Sequence, residues 1–258
     1  NPVVTNADSS FIQYRRMGNA LKEASKKAAI EKGMREKPIV FSICEWGMAF
    51  PWHWGSKAGN MWRTTPDISA NWKSIHMLYS HNIRLYKYAG PGAWNDPDML
   101  EVGNGKLTDN ENKTHFSLWC MMAAPLILGN DVRLLVGSDG APIENHPILK
   151  TVTNKNLIAI DQDKLGKQAK RLKKIRGIDI IGRPLENGDI AVCFYNPSSH
   201  VKGMSVDLND ILGDEYLDFP QEQSYQLHEL WSDEHFNART VSASLQKHEC
   251  RVYRISRQ

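Results

Sequence analysis

The fold of this chain is indicated by residues 38–46, which read Pro38-Ile-Val-Phe-Ser-Ile-Cys-Glu-Trp46. A short apolar run that ends in polar and aromatic residues is typical of a buried parallel strand, whose carboxyl end delivers side chains to a functional site. Residues 156–160 (Asn-Leu-Ile-Ala-Ile) repeat the arrangement and are followed by Asp161 and Asp163. The two runs therefore predict strands of a parallel sheet.

Helical periodicity separates these predicted strands. Residues 9–33 carry apolar side chains at three- and four-residue steps, with Ser9 or Ser10 as the cap and Gly33 as the stop. Three more helices are predicted at residues 71–80, 113–128 and 145–153. Because strand, loop and helix alternate up to residue 166, the first part of the chain is predicted to be α/β.

The pattern changes beyond residue 166. Residues 167–176 are rich in Lys and Arg, which predicts a solvated linker or a strand edge. Short strands separated by turn residues follow at 178–181, 189–195, 203–206, 225–230 and 250–255. This part of the chain is predicted to be a small antiparallel β domain.

Composition excludes several classes of protein. The chain has 258 residues, a formal charge of +3 and 41% hydrophobic residues, which fits a globular protein and gives no case for binding nucleic acid. Its longest apolar run, residues 121–129, is broken by Pro125 and falls short of the ~20 residues that span a membrane. The four cysteines form no Cys-x-x-Cys pair, so their spacing supports neither a zinc site nor a disulfide framework.

The residues that carry chemistry begin in the stretch from Tyr88 to Leu100, which reads YAGPGAWNDPDML. It places Asp96 and Asp98 beside Trp94, between a Gly/Pro turn and an apolar run. Paired carboxylates beside an indole suit a site that cleaves sugars, because the carboxylates handle protons and hydroxyls while the ring covers the apolar face of the sugar. The alternative is a tight turn whose aspartates cap backbone N–H groups.

Further acids follow the predicted strands or lie in nearby loops, namely Glu45, Asp67, Asp161 and Asp163. In an α/β barrel such loops share one face, so these acids are expected to lie together with Asp96 and Asp98. Glycoside cleavage with retention needs an acid/base and a nucleophile, two carboxylates ~5–5.5 Å apart. Arg63 precedes Asp67 by four residues, and either orients that carboxylate or forms a surface ion pair of little energy.

Motifs for other chemistries are missing from the sequence, which contains no GxSxG, HExxH, GxGxxG or P-loop. The histidines are scattered along the chain, and each is interpreted as a structural or surface residue. The sequence patterns therefore favour carboxylate chemistry.

Taken together, these motifs resemble glycoside hydrolase family 27, the family of α-galactosidases (melibiases) and α-N-acetylgalactosaminidases. The resemblance runs from about residue 9 to the end of the chain. It is carried by residues 44–47 (CEWG), 62–68 (WRTTPDI) with Asn71 and Trp72, 89–100 (AGPGAWNDPDML), 115–119, 123–126, 130–133, 158–166 (IAIDQDKLG) and 229–231 (ELW).

The resemblance implies a (β/α)8 barrel, only the second half of which is present in this chain, followed by a C-terminal antiparallel β-sandwich. The half-barrel is expected at residues 1–166 and the sandwich at residues 167–258. The family hydrolyses its substrates with retention of configuration through a glycosyl–enzyme intermediate, without a metal or organic cofactor.

The resemblance also assigns roles to individual residues. Asp67 matches the general acid/base, and Arg63 matches a residue near the 2-position of the sugar. The other substrate-binding matches are Cys44, Glu45 and Trp46, which recognise the 2-substituent, and Asp98 and Met99, which line the sugar pocket. Glu45 favours a free 2-hydroxyl and hence galactose.

One departure from the family pattern is serious. The nucleophile belongs to a Lys-Tyr-Asp motif at the end of the fourth barrel strand, which would lie before residue 1. Four strands of an eight-stranded barrel leave open edges and an exposed apolar interior. An N-terminal half-barrel, from an upstream segment or a second chain, is therefore the expected partner.

Three functional hypotheses follow. The first is a retaining hydrolase that removes terminal α-linked galactose. The second keeps this mechanism on another sugar: α-N-acetylgalactosamine, β-L-arabinopyranose or an α-glucan unit. The third is an inactive galactose-binding fragment. No nucleic acid or membrane partner is expected, and the sequence is compatible with a homo-oligomer. An extracellular or lysosomal location is favoured over a cytoplasmic one.

Overall fold

Helices and short parallel strands alternate in the first part of the chain, and antiparallel strands make up most of the second. The computed structural model describes residues 7–257. The helices are α1 (Ala7–Lys32), α2 (Trp72–Asn82), α3 (Asp109–Met121), α4 (Pro147–Val152), α5 (Lys155–Asp161) and α6 (Asn209–Leu212). Within the described residues, none of these helices has both the length and the apolar character that crossing a membrane requires.

The strands form two groups. The first group is β1 (Ser42–Ile43), β2 (Met61–Arg63) and β3 (Trp94–Asp96). The second is β4 (Lys170–Ile175), β5 (Ile178–Pro184), β6 (Ile190–Tyr195), β7 (Lys202–Asp207), β8 (Tyr225–Glu229), β9 (His235–Ala238), β10 (Thr240–Leu245) and β11 (Cys250–Ser256).

The first group is a parallel sheet in the order β1-β2-β3. Ile43 pairs with Trp62, and Arg63 pairs with Asp96. A further parallel bridge joins Leu100 to Leu128 and continues the succession of barrel strands. The strand predicted at 38–46 is correctly located but too long, because only Ser42 and Ile43 of that run pair with a neighbour.

One local prediction of secondary structure in this region is wrong, and another has the wrong bounds. The run at 156–160 is not a strand but part of α5, which begins where the Asn154 side chain accepts a hydrogen bond from the Leu157 N–H at 3.0 Å. Five apolar residues fit a buried strand and a buried helix equally well, so periodicity cannot separate them.

The helix predicted at 113–128 is present as α3, but both of its ends differ from the prediction. Helix α3 begins earlier, because Thr108 and Glu111 form a reciprocal capping box at its start. It ends at Met121, and Ala123 then adopts a left-handed backbone with φ of 49°. The following residues leave the helix and reach the bridge at Leu128.

The second group of strands is an antiparallel sandwich, as predicted. A six-stranded sheet in the order β4-β5-β6-β11-β8-β9 packs against the β10-β7 pair. Three of its strands were not predicted from the sequence as strands of their own: β4, β9 and β10. Of these, β4 contains the basic cluster and lies at the edge of the sheet, where charged side chains disfavour pairing with another chain.

One apolar core joins the two parts of the molecule. Trp119 of α3 and Leu157 of α5 belong to the same buried cluster as Tyr195 of β6 and Val252 of β11. Strands β5 and β6 are buried along their whole length, because helices cover one face and the β10-β7 pair covers the other. This explains why both strands consist mainly of apolar residues instead of alternating with polar ones.

Candidate active site

Three segments with predicted site residues meet at the carboxyl edge of the parallel sheet. Residues 44–46 directly follow β1, Arg63 is the last residue of β2, and Asp98 lies two residues beyond the end of β3. Because the strands run in parallel and are neighbours, their carboxyl ends share one edge. The structure thus brings these segments together as expected.

Arg63 connects two of the predicted carboxylates. Its Nη2 atom lies 2.7 Å from Asp98 Oδ2 and 3.1 Å from Asp67 Oδ1. The side chains of Arg63 and Asp98 are only 11% and 10% exposed, whereas that of Asp67 is 73% exposed. The arrangement is therefore a buried ion pair of Arg63 and Asp98, and the same guanidinium also holds a second, accessible carboxylate, that of Asp67. The guanidinium lies between the two acids and contacts both of them.

The indole of Trp46 fixes Asp67 from the other side. Its Nε1–H donates a hydrogen bond of 2.9 Å to Asp67 Oδ1, the same oxygen that contacts Arg63. Trp46 has a left-handed backbone with φ of 50°, which is uncommon for a bulky residue. Its side chain is partly exposed beside the carboxylate. An indole in this position offers an apolar surface to the face of a sugar ring.

Asp98 is held by an unusually complete set of contacts. Its Oδ2 accepts a hydrogen bond from the Ile68 N–H and its Oδ1 one from the Met99 N–H, both at 2.8 Å. Its own N–H donates to Asp96 Oδ1, and its carbonyl accepts from Trp119 Nε1 at 2.7 Å. Its φ of 85° is strained for a residue with a Cβ and costs ~1–3 kcal/mol, which these contacts offset.

The remaining predicted residues flank this network. The Cys44 carbonyl accepts a hydrogen bond from the Tyr14 hydroxyl at 2.9 Å, and Glu45 Oε2 accepts one from the Ser10 hydroxyl at 3.2 Å. Burial raises the pKa of the Cys44 thiol, so it stays protonated at neutral pH. Met99 is partly exposed next to Asp98.

Two of the acids do not lie at this edge, contrary to expectation. Asp161 and Asp163 line a cavity of about 450 Å³ together with Met61 and Trp94, which are the first residues of β2 and β3. They therefore lie toward the amino ends of the strands. The reason is that residues 156–160 are helical, so Asp161 ends a helix and does not follow a strand.

Several supporting residues could not be identified from the sequence. Tyr14 and Ser10 lie on α1 and reach the segment after β1 across about thirty residues of chain. Asn95 accepts from Trp62 Nε1 at 2.8 Å and donates to Gln168 Oε1 at 2.9 Å, which ties β2 and β3 together below the site. The only signal for Asn95 is its place between Trp94 and Asp96.

Asp96 is the buried acid beneath the site, and its ionisation should affect stability. Burial raises its pKa to about 6, although the hydrogen bond from the Asp98 N–H and the charge of Arg63 both lower it. Between pH ~4 and ~6 the folded protein binds this proton and the unfolded chain does not, so stability falls as the pH rises through that window. Above pH 6 the full cost is about 3 kcal/mol.

We therefore expect Asp96→Asn to stabilise the protein at pH 8 by up to ~3 kcal/mol, because Asn keeps the acceptor for the Asp98 N–H and removes the charge. Below pH 4 the gain should vanish. Urea unfolding of the full-length protein at both pH values measures the difference. A gain that is equal at pH 4 and pH 8 would contradict the raised pKa.

Comparisons with known proteins identify relatives of both parts of the chain. Residues 8–163 match a melibiase-family model described as alpha galactosidase A, and residues 176–255 match the model of the alpha galactosidase C-terminal beta sandwich domain. An α-galactosidase of Cyamopsis tetragonoloba is 37% identical over 229 residues, which are 88% of this chain and 51% of that protein. An α-galactosidase of Oryza sativa subsp. japonica is 35% identical over 93% of this chain and 52% of its own length.

The fold is similar to that of a solved structure as well. The crystal structure of α-galactosidase I from Mortierella vinacea superimposes with a TM-score of 0.83 at 25% identity, over 100% of this chain and 65% of that one. The predicted fold class, half a barrel followed by a β-sandwich, is confirmed. The chain spans about half the length of the curated relatives it matches.

Proposed function

The chain belongs to the melibiase family, glycoside hydrolase family 27, and on this premise we propose that it is the C-terminal portion of a retaining α-galactosidase that removes terminal α-linked galactose. The observation that carries the proposal is the position of Asp67. It is an accessible carboxylate, held by the Trp46 and Arg63 N–H groups at the carboxyl edge of a parallel sheet. Such an edge is where barrel enzymes carry out catalysis.

Asp67 has the geometry of a general acid/base. Both described hydrogen bonds to its carboxylate fall on Oδ1, so Oδ2 is the atom proposed to carry the proton. In the first step a second carboxylate, the nucleophile, bonds to the anomeric carbon while Oδ2–H protonates the glycosidic oxygen and the bond between that oxygen and the anomeric carbon breaks. In the second step the Asp67 carboxylate takes a proton from the water that cleaves the glycosyl–enzyme intermediate.

The nucleophile has to be a different carboxylate. Asp98 is close to Asp67, since both contact Arg63 Nη2, but it is buried and its two oxygens accept hydrogen bonds from two backbone N–H groups as well. A carboxylate so engaged is a poor nucleophile. We therefore assign Asp98 to positioning Arg63 and the pocket loop, and assign the nucleophile to the complementary half of the barrel.

The open side of the parallel sheet supports a complementary half-barrel. Large apolar side chains are exposed on the segments around β1 and around the bridge at Leu128, among them Val40, Met48, Phe50, Ile127 and Leu128. Closed barrels have no such edges, because each strand pairs on both sides. Arg63 Nε is also buried without a hydrogen-bond partner among residues 7–257. Further strands or a bound sugar would supply that partner.

The identity of the sugar can be tested by comparing substrates of the full-length protein. We expect the highest kcat/KM for 4-nitrophenyl α-galactopyranoside, because Glu45 is matched to a free 2-hydroxyl. The α-N-acetylgalactosaminide should be slower by roughly 10-fold or more, since its acetamide would meet Glu45. An equal or faster rate on that substrate, on the β-L-arabinopyranoside or on the α-glucoside would transfer the assignment to that sugar.

The inactive galactose-binding module remains the second candidate. It would bind galactose, but no nitrophenyl glycoside would be hydrolysed by the full-length protein. Asp67 favours the enzyme, because both described hydrogen bonds fall on Oδ1 and its accessible Oδ2 can carry the proton that a general acid must deliver. We further propose the domain division at residues 1–166 and 167–258 and an extracellular or lysosomal location.

A further inference from the structure

A cluster of metal-binding side chains lies on the sandwich, outside the candidate active site. His228 is in β8, His235 is in β9, and Asp233 is in the turn between these strands. His228 Nε2 lies 2.6 Å from Asp233 Oδ1. Nitrogen and oxygen atoms from all three side chains lie within 4.8 Å of one another, which within residues 7–257 is true of no other such group of His, Cys, Asp and Glu.

The hairpin itself brings the two imidazoles together. His228 and His235 are direct cross-strand partners, and their rings stack with centroids 4.0 Å apart and planes inclined by 12°. Cross-strand partners are held on the same face of a sheet by the pleat. Because ring orientation about χ2 is a broad torsion, small rotations suffice to point one nitrogen of each ring at a shared ion.

The third side chain is also oriented by its neighbours. Asn156 Nδ2 donates a hydrogen bond of 3.0 Å to Asp233 Oδ1, and Asp233 holds a left-handed backbone with φ of 63°. The side chain of Asp233 remains 73% exposed, so water can complete the coordination of an ion. These residues supply two imidazoles and one carboxylate, a donor set that suits zinc and its neighbours among the transition metals.

The charges around the cluster do not oppose a cation. Arg254 lines the adjacent cavity of about 540 Å³, but its Nε lies 2.6 Å from Asp189 Oδ2, so a carboxylate neutralises it. The carboxylates of the candidate active site lie at the edge of the other, parallel sheet and take no part in this cluster.

We propose that His228, Asp233 and His235 form a binding site for a divalent transition-metal ion such as Zn²⁺, which links β8 to β9 at the edge of the sandwich. Coordination of both side chains to the ion replaces the hydrogen bond between His228 and Asp233, any proton displaced from the imidazole nitrogen passes to solvent, and water supplies the remaining ligand. The site is independent of the proposed glycosidase activity.

The test is a titration of the full-length protein with zinc chloride, followed by calorimetry and by thermal unfolding with and without EDTA. We expect one Zn²⁺ per chain and a rise in Tm that EDTA reverses. The variant His235→Ala should weaken Zn²⁺ binding at least ~10-fold. Loss of a residue that only orients a ligand already lowers metal affinity ~10–100-fold, and His235 is proposed as a direct ligand. Asp233→Asn should do the same while preserving the shape of the turn.

The matched control is His200→Ala, which removes an exposed histidine of the same domain that lies outside the cluster. It should bind Zn²⁺ as the unchanged protein does. The proposal is overturned if the unchanged protein binds no Zn²⁺, or if His235→Ala and Asp233→Asn bind it as tightly as His200→Ala. Since the measured quantity is zinc affinity, a failed glycosidase assay would not affect the outcome.

Discussion

Replacing Asp67 with Asn should lower the turnover of α-galactosides ~10²–10⁴-fold in the full-length protein, which is the usual contribution of a general acid/base. Asn keeps the acceptor for the Trp46 and Arg63 N–H groups but cannot carry or remove a proton. KM should change far less than kcat. Because Asp67 is exposed, the substitution should leave Tm nearly unchanged.

The dependence on the leaving group makes this experiment specific. A dinitrophenyl galactoside needs little protonation of its leaving oxygen, whereas a methyl galactoside needs it fully. The loss in the first step should therefore be much larger for the methyl galactoside. Asp210→Asn, an exposed aspartate of the sandwich, is the control and should retain full activity. Near-normal turnover of the methyl galactoside by Asp67→Asn would refute the assignment.

Replacing Arg63 with Met should have the second largest effect, on both stability and activity. The change leaves the buried Asp98 carboxylate without its cationic partner, and removal of one member of a buried ion pair costs ~3–5 kcal/mol. Asp67 also loses one of its two N–H donors. We expect a large fall in the free energy of unfolding, measured in urea, and a loss of kcat/KM of ~10²-fold or more, by analogy with general acid/base effects.

A double variant separates these two effects. In Arg63→Met combined with Asp98→Asn the buried charge is gone, so much of the stability should return while activity stays low. Arg133→Met is the control, because Arg133 pairs with Asp131 at the surface, where solvent screens an ion pair and it contributes little to stability. Equal destabilisation by Arg63→Met and Arg133→Met would show that the Arg63–Asp98 pair is not buried in the folded protein.

The sequence predicts much of the site because its residues lie at or just beyond the ends of parallel strands. Arg63 and Asp67 are four residues apart and Asp98 follows the next strand. Because the ends of neighbouring parallel strands meet at one edge, the predicted sheet is enough to bring the three residues together. The same reasoning failed for Asp161. Its place depended on whether a run of five apolar residues is a strand or a helix, and the side chain of Asn154 decides this in favour of the helix.

Contacts between distant segments could not be predicted. Ser10 meets Glu45 across 35 residues of sequence, and Thr114 donates to the His248 carbonyl across 134. Neither hydroxyl differs in its sequence surroundings from those that face solvent. The sequence does not indicate the left-handed backbone of Asp98 either, because Gly and Asn are the residues that most often adopt such a conformation.

The shared core of helices and sandwich limits how this family can recombine. Trp119 and Leu157 from the half-barrel are buried in one cluster with Tyr195 and Val252 from the sandwich, so the two portions share this part of their interior. A chimera that joins this half-barrel to the sandwich of a relative would inherit mismatched side chains throughout that cluster. The two portions should therefore be exchanged together in chimeras and should change together in evolution. A substitution on one side of the shared cluster should be accompanied by a compensating substitution on the other side.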